Sequence, residues 1–374
     1  MREISTIELY AAVHELEKFS SYYIEKVYEL PGMRFRIRLG KSGADQANIL
    51  IIPGKVLGIT DQIELVESPT NFAVALRKRR MNSQIDAIKL YNYDRIVSIE
   101  MHKGPVKANL IIEMFNNGNV ILADDKMNIL LAYERREYSD RNIAHGQQYA
   151  PPKNKPITIE DIYDIKRLES KLEALAGSSP GTGIAKLLGS SLNIGSLYAE
   201  NSIMECKYAT GQKAGEMQKE QLHKIAERLN ALTHFMESPK PRIYADAGKA
   251  ADYAICDIKK YELLERNDFD TVSAMLNAFY SAAAEPARVQ ESRKSLELKA
   301  SIRKQQEIIE KAQADMEAHK RIAEAIFNNM QLINQLVRKA SEMKRFTKEE
   351  LQEMFPSIKI SKVDLKEKSI SIEI

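Results

Sequence analysis

Hydrophobic and polar residues alternate along this chain in three successive patterns. From residue 1 to about 150, short apolar runs alternate with turn residues. Ser5-Thr6-Ile7-Glu8 has the spacing of a capping box, and Leu9, Ala12, Val13 and Leu16 follow at helical period, which predicts a first helix with one buried stripe. Residues 33–39 alternate strictly, with Arg34, Arg36 and Arg38 on one face of a strand and Phe35, Ile37 and Leu39 on the other. Residues 47–52 form a nearly continuous apolar strand ending at Pro53-Gly54, and a second helix is expected from Thr70 to about Met81. Strands follow at 96–101, 108–114, 119–124 and 129–133, with Asn117-Gly118 as the hairpin signal because both residue types tolerate positive φ.

The prolines at 151, 152 and 156 predict a linker over 150–156. Residues 157–290 read as mostly helical with Gly-rich breaks. Leu187–Ile203 resembles a helix-hairpin-helix with Gly195 in the hairpin, Asn193 at the position of its first glycine, and Ile194, Ala199 and Ile203 as apolar anchors. A plain helical turn fits the same pattern. Residues 286–345 read as one long charged helix without Gly, apart from Pro286 at its start. Ile302, Ile309, Met316, Ala323, Met330 and Val337 recur every seven residues, and Gln305, Ala312, His319, Ile326, Ile333 and Ala340 lie three later. No equally long helix follows, so a partner helix is expected from another molecule or from sequence beyond this chain, with self-association one route. A β pair around Lys366-Glu367-Lys368 is expected at the end. The resulting expectation is an α+β chain: a mixed-sheet domain over 1–150, a helical domain over 151–237, a connecting segment over 238–285 and a coiled-coil or middle region over 286–374.

Composition narrows the function classes. With 374 residues the chain is long enough for a sizeable core, and two cysteines exclude a disulfide scaffold and favour a reducing, cytoplasmic setting. There is no apolar run of membrane-spanning length and no visible signal peptide. The six histidines are scattered, so no metal or other cofactor is expected, and no nucleophile or phosphate-loop motif marks the chain as an enzyme. The formal charge of +3 hides an uneven distribution. Residues 30–103 hold twelve Lys and Arg against seven Asp and Glu, whereas residues 246–270 hold seven acids against four bases. The arginine face at 34, 36 and 38 and the cluster Arg77-Lys78-Arg79-Arg80 fit two readings: a solvated strand edge with cations at a helix C-terminus, or a surface that tracks phosphates. Asp94-Arg95 reads either as a turn acid followed by a surface base or as a recognition pair; Glu8 is already explained by its cap.

Several of these segments together resemble one family. Ser5-Thr6-Ile7-Glu8-Leu9, Ile24-Glu25-Lys26-Val27-Tyr28, Phe35-Arg36-Ile37-Arg38-Leu39, Phe72-Ala73 with Leu76-Arg77-Lys78-Arg79, Tyr93-Asp94-Arg95-Ile96-Val97 and Glu113-Met114-Phe115 with Gly118-Asn119-Val120-Ile121-Leu122 are similar, in order and spacing, to the NFACT family of NEMF- and RqcH-like proteins. The resemblance implies an N-terminal fold related to formamidopyrimidine-DNA glycosylases. It also implies a non-enzymatic role in ribosome-associated quality control: binding the large ribosomal subunit and its rRNA on a stalled nascent-chain complex, and recruiting tRNA, typically alanyl-tRNA, for template-free C-terminal tailing. It assigns tRNA contact to Asp94 and Arg95, and to Glu8 where the family usually has Asp. The arginines at 34, 36, 38, 77, 79 and 80 then become phosphate contacts. The competing class is a DNA-processing protein, against which Met1-Arg2-Glu3 lacks the Pro-Glu start of such glycosylases. An extracellular adhesin, from an older name of the family, fits poorly with the missing signal peptide. The chain is further expected to lack the family's C-terminal NFACT-R domain.

Overall fold

In the computed structural model the described residues are 2–64, 69–91, 94–153, 155–192, 194–282, 293–343 and 345–373, with backbone only at 282 and 293–303. Tyr93, Asn193 and residues 286–292, which carry expectations stated above, lie outside them. The described residues divide into two compact units, one within residues 1–285 and one within 286–374.

The first unit opens with α1, Thr6–Leu16. Ser5 Oγ accepts from the Glu8 amide at 3.3 Å and the Glu8 carboxylate accepts from the Ser5 amide at 2.8 Å, so the expected capping box forms. The strands β1 (Tyr23–Leu30), β2 (Arg34–Lys41), β3 (Ala44–Ile52) and β4 (Val56–Ile59) then make an antiparallel meander. Helix α2 (Asn71–Arg80), capped by Thr70, carries the chain to the other side of β1. There β5 (Gln84–Leu90), β6 (Ile96–Lys103), β7 (Val106–Glu113), β8 (Asn119–Asp124) and β9 (Ile129–Ala132) complete a nine-stranded sheet of order β4-β3-β2-β1-β5-β6-β7-β8-β9. Every described pairing within this sheet is antiparallel, which corrects the expectation of a mixed sheet. Short turns join most neighbours, whereas a parallel pair needs a long crossover. The β7–β8 connection is also corrected. It spans five residues, with positive φ at Asn116 and Gly118, so it is not a two-residue Asn117-Gly118 turn. Gly118 is required there twice over, by φ +66° and because a Cβ would collide with Pro53.

The main core packs one face of this sheet against α1 and the following helices. A second apolar cluster, including Ile96, Ile111, Ile121, Ile143 and Tyr149, covers the other face of the β6–β8 region, beneath the short pair β10 (Arg136–Glu137) and β11 (Asn142–Ile143). Next come α3 (Ile159–Ile162), α4 (Ile165–Ser178), α5 (Ile184–Ser191), α6 (Ser196–Glu205) and α7 (Lys219–Glu237). The expectation of mostly helical structure to residue 290 fails at 242–268. There β12 (Arg242–Asp246), β13 (Lys249–Ala254) and β14 (Glu265–Asp268) form a three-stranded sheet turning at Ala247-Gly248, both in positive φ. Helix α8 (Val272–Ala282) returns to the sheet. Glu15 caps it, accepting from the Val272 and Ser273 amides at 2.5 and 3.0 Å.

In the second unit the single long helix becomes α9 (Arg293–Asn328) and α10 (Met330–Glu342). They are separated at Asn329, whose side chain donates to the Ala325 carbonyl at 2.9 Å and competes with the helical ladder. Ile309, Met316, Ile326 and Met330 are exposed along it. The side chain of Ile302 lies outside the described ones. Leu336 packs with Leu351 of α11 (Lys348–Met354) and Ile360 of β15 (Lys359–Asp364), which pairs with β16 (Ser369–Glu373).

Candidate nucleic-acid interface

The sequence-predicted pair sits in a turn just ahead of β6. The Asp94 carboxylate accepts from the Arg95 amide at 2.6 Å, fixing the turn, and the Arg95 carbonyl accepts from the Met114 amide at 2.8 Å. The Arg95 guanidinium leaves the sheet and meets Glu3 Oε2 at 2.5 Å. It lines a cavity of about 180 Å³ together with Arg2, Glu3, Lys155, Gly195 and Ser196. Lys155 comes from the proline-flanked segment, and burial, followed by the Arg95 charge, lowers its pKa. Three cations thus approach one small pocket. Arg95 pairs with Glu3, which is itself 38% exposed, and the Lys155 ammonium reaches the Leu192 carbonyl at 3.5 Å and is drawn by the Asp94 charge less than burial and Arg95 oppose it. An incoming phosphate can replace an exposed carboxylate on a guanidinium.

Glu8 lies behind this pocket and is fully buried. Its carboxylate takes both terminal nitrogens of Arg2 at 2.9 and 2.5 Å and the Tyr198 hydroxyl at 2.8 Å, besides the Ser5 amide. Direct contact with a ligand is therefore not open to Glu8 in this geometry; it acts by holding Arg2 and Tyr198. Arg2 also donates to Asp252 at 2.7 Å and lies 4.0 Å over the Tyr253 ring. Burial opposes the Arg2 charge, but Glu8 outweighs it and raises the guanidinium pKa; burial and then the Glu8 charge raise the Tyr198 phenol.

None of the other six predicted arginines lines this pocket. On β2 the solvated-face reading fails at Arg36, while Arg34 and Arg38 remain part-exposed in ion pairs. Arg34 pairs with Glu64, Arg38 Nε lies 3.0 Å from Glu25, and Arg36 is only 4% exposed, with its guanidinium 4.3 Å from the centre of the Tyr28 ring. Arg77 approaches the same ring at 5.4 Å and donates to the Val27 carbonyl at 2.7 Å. Arg80 is buried, and burial, then the neighbouring Arg79 charge, lowers its pKa. Arg79 itself projects outward with one bond to the Ala75 carbonyl. The structure thus gathers Arg36 and Arg77 about Tyr28, apart from the Arg95 pocket. Sequence reasoning missed Arg2, Glu3, Lys155 and Tyr198. Lys155 had only the linker as a signal, and Tyr198 had none, because it lies 190 residues from Glu8.

Among the described residues no group of three or more His, Cys, Asp or Glu is arranged around a metal position, and no helix is long and apolar enough to cross a membrane. In sequence, the chain is 23% identical over 348 residues to the archaeal Rqc2 homolog aRqcH of Methanocaldococcus jannaschii, an alignment covering 90% of this chain and 51% of that protein. It is 24% identical over 368 residues to ribosome quality control complex subunit NEMF of Mus musculus, covering 89% of this chain and 34% of that protein. The chain therefore spans about half or less of the length of these relatives. In structure, it resembles the fibrinogen binding protein from Staphylococcus aureus (TM-score 0.59, 17% identity, 74% of this chain and 98% of that one). The N-terminal part of the fibronectin/fibrinogen-binding protein from Streptococcus suis is similar as well (TM-score 0.56, 19% identity, 74% and 99%). These two likenesses concern the fold alone. The family model described as NFACT N-terminal and middle domains matches residues 5–368, and the chain belongs to the NFACT family.

Proposed function

We propose that this chain is the RNA-binding part of a cytoplasmic ribosome quality control factor. It associates with large ribosomal subunits carrying stalled nascent chains and recruits tRNA, alanyl-tRNA by the family resemblance, for tailing of the nascent chain. The relative named above as a ribosome quality control complex subunit, together with the archaeal Rqc2 homolog, supports the general role. The observation that carries the tRNA assignment is the Arg95 guanidinium, which lines a cation-rich pocket and is held by one half-exposed carboxylate. In this reading Arg95 and Lys155 bind phosphate or a base edge, Asp94 fixes the turn, and Glu8 positions Arg2. Arg34, Arg38, Arg77 and Arg79 form a second, phosphate-tracking surface, with Arg79 its most exposed member, while Arg36 and Arg80 are buried and do not reach it. The factor works by binding and positioning RNA, not by catalysis of its own.

The domain reading belongs to the same proposal: an NFACT-N domain over 1–150, a helix-hairpin-helix domain containing α5 and α6 over 151–237, a connecting segment over 238–285, and a coiled-coil and middle region over 286–374. The exposed apolar stripe of α9 is read as a face for another helix. The test is RNA recovered by cross-linking to the chain in cells. Enrichment of tRNA and large-subunit rRNA, lost in Arg95→Ala, supports the reading; recovery of DNA or of neither RNA contradicts it.

A further inference from the structure

A buried ionic cluster lies directly behind the Asp94–Arg95 turn. Glu113, the last residue of β7, pairs with Ile96, the first residue of β6, and the next amide, Met114, holds the Arg95 carbonyl. The Glu113 side chain is fully buried, and its Oε1 accepts from Arg141 at 2.5 Å and from the Tyr149 hydroxyl at 3.1 Å. Arg141 is itself buried, lies 4.5 Å over the Tyr138 ring, and donates to the Ala150 carbonyl at 3.3 Å. Ala150 begins the segment that delivers Lys155 to the pocket. The Tyr149 ring meets Tyr91 edge-on at 6.0 Å, and the Tyr91 carbonyl accepts from the Asp94 amide at 3.3 Å. The cluster therefore touches both strands of chain that bring Arg95 and Lys155 together.

An ion pair in this position is a poor choice for stability alone. Desolvating both charges costs as much as their attraction returns, and apolar residues of similar volume would serve as well. Glu113 Oε2 has no hydrogen-bond partner among the described residues, which adds to that cost. What the cluster supplies is direction. A guanidinium fork reaching a carboxylate and a carbonyl at once fixes β7 relative to the 150–155 segment more narrowly than an apolar contact does.

We infer that Glu113, Arg141 and Tyr149 are positioning residues that hold the Asp94–Arg95 turn and the Lys155 segment in register across the pocket. The inference rests on the proposed RNA-binding role of that pocket. Its test is arranged so that the two can fail separately. Tyr149→Phe keeps the ring and the ion pair, and Glu113→Gln keeps the shape; both are made in the whole chain, alone and with Arg95→Ala. Amide hydrogen exchange is followed at Asp94 and Met114 and, for reference, at Ile99 and Leu110 in the middle of the same strands. In parallel, affinity for unfractionated tRNA is measured.

Loss of one hydrogen bond is expected to speed exchange at Asp94 and Met114 about fivefold relative to the reference amides. It should weaken tRNA binding by a similar factor and add nothing further once Arg95 is Ala. A uniform change across all four amides, or none in either variant, overturns the inference, since a purely structural cluster would loosen the strands evenly. A tRNA loss as large in the Arg95→Ala background as in the wild type overturns it too. If Arg95→Ala itself leaves tRNA affinity unchanged while exchange at the turn still rises, the positioning role stands and the RNA-binding reading is what fails.

Discussion

Arg2 and Glu8 form a two-pronged ion pair, 2.9 and 2.5 Å, in which the carboxylate is wholly buried and the guanidinium lies over the Tyr253 ring. Through it the N-terminal segment, α1, α6 and the three-stranded sheet meet at one point. Removing Glu8 leaves Asp252 as the one acid on the Arg2 guanidinium and takes the acceptor from the buried Tyr198 hydroxyl and Ser5 amide, which is far more destabilising than replacing the pair. Glu8→Ala is expected to lower stability by on the order of 3 kcal/mol, read as a drop in the denaturant midpoint with unchanged slope. A midpoint equal to wild type would show that the pair contributes nothing.

Lys155 offers a cleaner separation of function from fold. Its ammonium makes one long bond to the Leu192 carbonyl and stands near Arg95, so it adds charge to the pocket at little benefit to stability. Lys155→Met should leave the melting temperature within about 2 °C of wild type while weakening tRNA binding and reducing its salt dependence by about one counterion. Equal salt slopes in the two proteins would remove Lys155 from the interface.

Alkaline stability follows from the buried phenols. Burial, then the Glu8 charge, raises the pKa of Tyr198, and burial, then the Glu113 charge, raises that of Tyr149. Below the unfolded phenol value of about 10, both states keep the proton and the contribution is fully present. Above it the unfolded chain ionises first, so stability is lost as pH rises toward the folded value. Urea unfolding should therefore show stability falling above about pH 10, less steeply in Tyr149→Phe than in wild type; parallel curves for the two proteins would contradict this.

Gly58 tests the seating of α8 on β4. A Cβ there would lie 2.8 Å from Ser273 Oγ and 3.1 Å from its Cα, and that hydroxyl also accepts from the Ile59 amide at 2.9 Å. Gly58→Ala should cost about 1–3 kcal/mol by overpacking, measured by chemical denaturation. Wild-type stability would mean that the helix can shift at no cost.

The parts of this fold that were legible in the sequence are those set by local chemistry. The Ser5–Glu8 box, the start of the second helix at Thr70 and the alternation of β2 each depend on residues within a few positions of one another, and they appear where expected. The arginines of β2 alternate as expected too, but the burial of Arg36 was not legible, because Tyr28 comes from another strand. The sheet at 242–268 escaped notice because its hairpin turns through Ala247, a residue that seldom adopts positive φ, so no Asn-Gly or Asp-Gly marked it. Within the candidate site, Asp94 and Arg95 were visible through family resemblance. Their surroundings were not: Glu3 lies 92 residues from Arg95, and only folding brings them together.

Whether Arg95 faces RNA is decided by equilibrium binding of tRNA to the wild-type chain and to Arg95→Ala across a salt series, with circular dichroism confirming the fold of each. The variant is expected to lose at least about tenfold in affinity, with the salt slope reduced by about one counterion. Equal affinity and equal slope in two equally folded proteins would show that Arg95 does not face RNA.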